Sequence, residues 1–131
     1  MAVLVDWYDA EKTIVLYTLE GKWTWDELYP EYRKAIDMEK SMPYRVDVII
    51  DMRQSGPLPL NLLTHVKNFA DRQPDNIGIS VVVTHNSFVM AIYQAGCKFY
   101  ANIRRYFVIT KTMEEALQMI EAQRTEEKDP A

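Results

Sequence analysis

The fold class predicted by the 131-residue sequence is a single α/β domain with a mostly parallel five-stranded sheet. Three observations predict it: a β-hairpin pattern at the start, three later apolar runs of strand length, and amphipathic helical periods between and after them. The order is β-β-α-β-α-β-α-β-α, with about four helices. Strands that alternate with helices need right-handed crossovers and a parallel sheet, to which the hairpin adds one antiparallel edge strand.

"AVLVDWY" and "KTIVLYTLEG" are β-branched and aromatic runs separated by "DAE", the hairpin signal, and Gly21 closes the second. "TWDELYPEYRKAIDMEKSM" opens with Thr24 and Glu27 in capping-box spacing and carries Trp25, Leu28, Tyr32, Ala35, Ile36 and Met38 as a helical stripe. Pro30 inside that stripe predicts a kink or a later helix start. "YRVDVIIDM" is nearly all apolar, as a strand covered on both faces is. "QSGPLP" reads as a turn, "LNLLTHVKNFADRQ" as a helix ended by Pro74, and "NIGISVVVT" as a second interior strand. Residues 86–104 read as one helix capped by Asn86 or Ser87, and "RRYFVIT" as a third interior strand. "TMEEALQMIEAQR" has a second capping box at Thr112 and Glu115. The domain is placed at 1–123, with 124–131 a polar, disordered tail.

Composition narrows the function. The net charge is −4, against the cationic surface that nucleic-acid binding requires. Lys98, Arg104, Arg105 and Lys111 fall in an acid-free stretch, best explained as solvated helix ends. Cys97 is the only cysteine, so no internal disulfide forms and a reducing cytoplasm is expected. "MAVLVDWYDAEK" has no basic leader, and no run reaches the ~18 apolar residues of a membrane span. A cytoplasmic protein without membrane insertion is the expectation. The two histidines are twenty apart, with neither CxxC nor HExxH, and glycine-rich phosphate loops are absent. No metal, no cofactor and no catalytic residue is assigned.

In an open parallel sheet, ligands sit beyond the carboxyl ends of the strands. That rule gathers Asp51, Arg53 and Ser55 as a candidate anion or phosphorylation site, and His85, Asn86, Thr110 and Lys111 as a candidate loop-edge ligand site. The structural alternatives are plain: Asp51 pairing with Arg53 or capping the turn, Ser55 shaping it, and His65 as a hydrogen-bonded helix residue. Along 86–104, apolar residues cover more than the one stripe that a helix on a sheet buries. Phe88, Met90, Tyr93, Phe99 and Tyr100 are therefore candidates for a protein interface, such as a homodimer contact, or for an apolar pocket.

The element order, together with "VDVIIDM" before a Ser-Gly turn, "NIGISVVVT" and "YFVITKTMEEAL", resembles STAS domains of the anti-sigma-factor-antagonist family over residues 3–123. That family shares a βα superhelix with CRAL-TRIO lipid-carrier domains. The resemblance implies a non-enzymatic regulatory module that binds a protein partner, with a phosphorylatable serine in a turn at a helix start. Asp51 matches the strand-end aspartate and Ser55-Gly56 the Ser-Gly, whereas Gln54 stands where the family has a serine and Pro57 follows the glycine. The CRAL-TRIO relationship implies the alternative, a carrier or sensor of a small apolar or anionic ligand near 86–104. An enzyme using Asp51 and His85 is a third, weaker expectation.

Overall fold

The computed structural model describes residues 2–128, with the side chains of 127 and 128 left aside. Five strands, β1 (Val3–Trp7), β2 (Ile14–Gly21), β3 (Val46–Ser55), β4 (Ile77–Val83) and β5 (Phe107–Thr110), form one sheet in the order β1-β2-β3-β4-β5. β1 pairs antiparallel with β2, and every other pair is parallel. The helices are α1 (Trp25–Lys40), α2 (Leu62–Asp71), α3 (Ser87–Phe99), α4 (Ala101–Tyr106) and α5 (Met113–Lys128).

The strand order dictates where the helices go. The sheet grows in one direction, and right-handed crossovers then put every connecting helix on the same face. On that face α1, α2, α3 and α4 pack over Tyr17, Leu19, Val48, Ile50 and Met52. Only α5 covers the other face, where Ala116 and Ile120 meet Ile14, Ile49, Ile79, Val81 and Val83. One face thus carries four helical segments and the other carries one.

Local signals act as expected at several points. Asp9 accepts from Thr13 N (2.9 Å) and Ile14 N (3.0 Å) in the hairpin turn; burial raises its carboxyl, but the Thr13 hydroxyl and these two amides together hold it below the usual range. Thr24 Oγ1 accepts from Glu27 N (3.2 Å) and Thr112 Oγ1 from Glu115 N (3.0 Å), so the threonine half of each capping box forms. Asn86 Oδ1 accepts from Phe88 N (2.8 Å) and Val89 N (3.3 Å). Asn76 Nδ2 donates to Glu39 O (2.8 Å) and Tyr44 O (2.9 Å), satisfying carbonyls where α1 ends.

Five elements differ from expectation. α1 runs through Pro30 from Trp25, because a proline near the helix start deletes only one backbone bond. β3 continues through Ser55, so the turn begins at Gly56, whose N–H donates to Gly21 O at 2.8 Å. Gly21 has φ +60, and a Cβ on Gly56 would lie 3.1 Å from Gly21 C and O, so the two glycines fit the close approach of these strand ends. β5 is an edge strand: an apolar run reports that both faces are covered, not that both neighbours are present. The single helix expected over 86–104 is two, because Tyr100 is extended (φ −131, ψ 106). Finally, residues expected in a tail from 124 are helical to Lys128; 129–131 lie outside the described residues.

Arg124 explains that last difference. Its guanidinium donates to Asp47 Oδ2 (Nε, 2.7 Å) and to Thr13 O (Nη2, 2.9 Å). Asp47 is fully buried at the start of β3, and its Oδ1 also accepts from Ile79 N (2.9 Å) and Arg45 Nη2 (2.9 Å). One carboxylate thus ties the hairpin, β3, β4 and α5 together. Gly78 makes room for it, since a Cβ there would overlap Asp47 Oδ1 and the Arg45 guanidinium.

Candidate functional site

Two cavities lie against the sheet. The first is a cleft of about 260 Å³ at the strand ends, lined by Met52, Arg53, Ser55, Leu58, Thr84, His85, Asn86 and Val89. It brings together Arg53 and Ser55 with His85 and Asn86, from the two groups that the sequence keeps apart. Asp51, Thr110 and Lys111 do not line it. Thr110 Oγ1 donates to Thr112 O (3.2 Å), and Lys111 is exposed.

His85 is exposed, and Arg53, Ser55, Thr84 and Asn86 of the cleft are already engaged. Arg53 Nε and Nη2 donate to Asp51 (3.0 and 2.9 Å), and these bonds hold the Asp51 carboxyl below the usual carboxylate range. The Asn86 side chain satisfies the first amides of α3. Ser55 Oγ accepts from Trp23 Nε1 at 2.8 Å, and α2 starts only at Leu62, so Ser55 ends a strand rather than standing at a helix start. An anion there would meet a neutralised guanidinium and a capped helix.

The second cavity, about 110 Å³, lies under the four helical segments. Its walls are apolar: Leu19, Trp23, Leu28 and Met52 toward the cleft side, Leu63, Val66 and Phe69 from α2, and Val89, Ile92 and Tyr93 from α3. An aromatic cluster braces one wall. Trp25 stacks on His65 with ring centroids 3.9 Å apart, and the Tyr29 hydroxyl meets His65 Nδ1 at 2.6 Å, joining α1 to α2. His65 is therefore the hydrogen-bonded helix histidine that its position suggests. Trp25 Nε1 donates to Leu60 O (2.7 Å), anchoring the loop before α2.

At one end of this cavity is a polar group that the sequence reading missed. Glu39, on the last turn of α1, is 2% exposed. Among the described residues its Oε1 has no hydrogen-bond partner, and neither has the buried Tyr32 hydroxyl. Burial pushes the Glu39 carboxyl up to about 8 and the Tyr32 phenol up to about 12. Tyr17, Gln73 and Ser80 share that lining, which contains no lysine, arginine or histidine. The signal was available: Leu28, Tyr32, Ala35 and Glu39 follow the i, i+4, i+7, i+11 spacing of one helix face, so the acid continues the apolar stripe.

The apolar surplus of 86–104 divides in three. Tyr93 lines the cavity and donates to Phe107 O (2.9 Å). Tyr100, partly buried, packs with Cys97 and Ile103 near α2 and lies 5.4 Å below Lys67 Nζ, while Met90 is half-buried. Phe88 and Phe99 remain 56% and 76% exposed. Among the described residues, no His, Cys, Asp or Glu cluster suits a metal, and no helix is long and apolar enough to cross a membrane.

Strand order, the antiparallel edge hairpin and crossover helices on one face define a SpoIIAA-like, that is STAS-like, α/β fold. The chain is similar to a crystal structure of a DUF3478-family protein with a SpoIIAA-like fold from Shewanella loihica PV-4, with a TM-score of 0.56 and 11% identity, covering 90% of this chain and 91% of that one. No family model matches the sequence, and neither does any curated protein. The resemblance read from the sequence holds at the level of the fold.

Proposed function

We propose that this protein is a non-enzymatic binding module that holds a small, mainly apolar ligand between the sheet and α1–α4, as a carrier or sensor. The observation that carries the reading is the apolar cavity under those helices. Interiors normally pack without voids larger than a water molecule, so a cavity of about 110 Å³ leaves dispersion contacts unmade that a ligand would supply. Its walls combine aromatic and aliphatic side chains with few polar groups, the usual composition of a small-molecule site.

Benzene, a neutral molecule of the size that apolar protein cavities near this volume accept, tests this directly when its binding is followed by NMR. It should bind with about one equivalent per chain, and Ile92→Trp, which fills the cavity, should weaken binding at least tenfold. Absent binding, or binding indifferent to Ile92→Trp, would sink the proposal.

The regulatory side of the STAS likeness has a physical support in the same place. Trp23 lines the cavity and donates its indole N–H to Ser55, which lines the cleft; Met52 and Val89 face both. Occupancy of the cavity would then be felt at the cleft, where a protein partner could read it. Benzene should slow amide hydrogen exchange at Gly56, next to Ser55; an unchanged rate there would show that the two spaces are independent.

A further inference from the structure

The polar end of the cavity says what kind of head group its ligand carries. Glu39 Oε1 and the Tyr32 hydroxyl are buried and unpartnered among the described residues, an arrangement costly to leave in an empty protein. Both belong to α1, and Tyr32 and Glu39 line the same cavity as Tyr17, Gln73 and Ser80. Among the described residues, Glu39 is the only acidic or basic side chain on the lining, so whatever enters meets a carboxyl and no cation.

Resting on the binding role proposed above, we infer that the ligand is an apolar amine whose nitrogen is held by the Glu39 carboxyl and the Tyr32 hydroxyl. A protonated amine is donor-only at its nitrogen, and both orphan oxygens accept, so one head group satisfies the two of them. A carboxylate would place a second negative charge beside Glu39 in a low-dielectric space with no counter-charge, which disfavours a fatty acid. An alcohol offers a single O–H donor and gains no ion pair.

The proton balance follows from the burial of Glu39, which keeps its carboxyl protonated at neutral pH in the empty protein. An ammonium ion entering from water displaces that proton: the carboxylic acid becomes a carboxylate, the ammonium keeps its own protons, and one proton leaves to solvent. Net charge in the cavity stays at zero before and after. The groups around the pair are the phenols of Tyr17 on β2 and Tyr29 on α1 and the guanidinium of Arg72 just past α2, with the Glu31 carboxyl acting on Tyr17. The two acids and the phenols all favour a cation between them, and Arg72 alone opposes it.

Displacement of bound benzene by butylamine, butanol and butyrate at pH 7 separates the possibilities, because the tails match and only the heads differ. Butylamine should act at concentrations at least tenfold below butyrate and severalfold below butanol. Calorimetry in buffers of different ionisation enthalpy should show about one proton released per butylamine and none per butanol. In Glu39→Gln the butylamine-to-butyrate preference should fall to within about threefold, and Tyr32→Phe should lower it less. Equal displacement by all three, a preference for butyrate or butanol, or a preference for butylamine that survives Glu39→Gln overturns the amine assignment while leaving the cavity as a ligand site. Failure of benzene itself to bind overturns the binding role, and the amine with it.

Discussion

Asp47→Ala should destabilise the protein by about 3–5 kcal/mol in urea unfolding, the largest effect expected of any single substitution here. The carboxylate is fully buried and accepts from Ile79 N, Arg45 and Arg124. Its removal strands the Arg124 guanidinium and leaves the Ile79 amide unpaired inside the sheet, and each buried group left without its partner carries a desolvation penalty. Asp47→Asn keeps the shape and one acceptor, so it should cost visibly less. Arg124→Ala, which leaves Asp47 with Arg45 and Ile79, should fall between the two. A loss below about 1 kcal/mol for Asp47→Ala would show that this cluster does not hold the hairpin, β3, β4 and α5 together.

Glu39 should make stability fall as the pH rises through neutrality. Its ordinary value is 4.5, and burial raises it to about 8 in the folded protein. Between those two values the folded chain holds a proton that the unfolded chain has released, so stability declines with rising pH across that window and levels off above about 8. Below 4.5 both states are protonated and the full stability is present. At roughly 1.4 kcal/mol per pKa unit, the difference between the two plateaus is roughly 3–5 kcal/mol. Glu39→Gln has no carboxyl to ionise. Against the wild type it should be nearly neutral in urea unfolding at pH 4 and markedly stabilising at pH 8. A Glu39→Gln difference that does not grow with pH would mean that the carboxyl is ionised and satisfied in the native protein, and the empty cavity's polar end would need another explanation.

Both residues show how the sequence can be legible in pattern and silent in meaning. Asp47 interrupts "VDVII", a strand otherwise read as apolar, and its partner Arg124 is 77 residues away in a stretch read as tail. Nothing within a few residues of either announces the other. Glu39 completes the helix face of Leu28, Tyr32 and Ala35, but counting only apolar residues in a helical period passes over an acid that occupies the same face. A charged residue on a core stripe is the local conflict that marks a buried functional or clamping group.

The helix break at Tyr100 had no local signal, because the segment contains neither proline nor a glycine at the break. It is decided by packing: Gly96, buried on α3, lets Ile103 and Leu63 approach its backbone, and a Cβ there would lie 3.0 and 3.2 Å from their methyl carbons. Folding the chain back at Tyr100 buries Ile103 against α2 and absorbs part of the apolar surplus that suggested a second surface. Phe88 and Phe99 are what that rearrangement leaves outside.

The cleft at the strand ends falls between these cases. Fold class alone placed Arg53, Ser55, His85 and Asn86 at one edge, since loops after parallel strands converge there. Their partners did not follow from that rule. Asp51 neutralises Arg53, and Trp23, 32 residues before Ser55, occupies its hydroxyl.

By itself, the sequence determined the hairpin, the order of strands and helices, the helix caps at Thr24 and Thr112, and hence the STAS-like class, because these depend on hydrophobic period and on hydrogen bonds that close within three or four residues. Only the tertiary structure decided the Asp47 clamp, the break at Tyr100 and the apolar cavity ending on Glu39 and Tyr32. Each arises where distant segments meet: a monotonic strand order places four helical segments on one face, and the space left between them is a property of how they pack, which no short stretch of chain encodes.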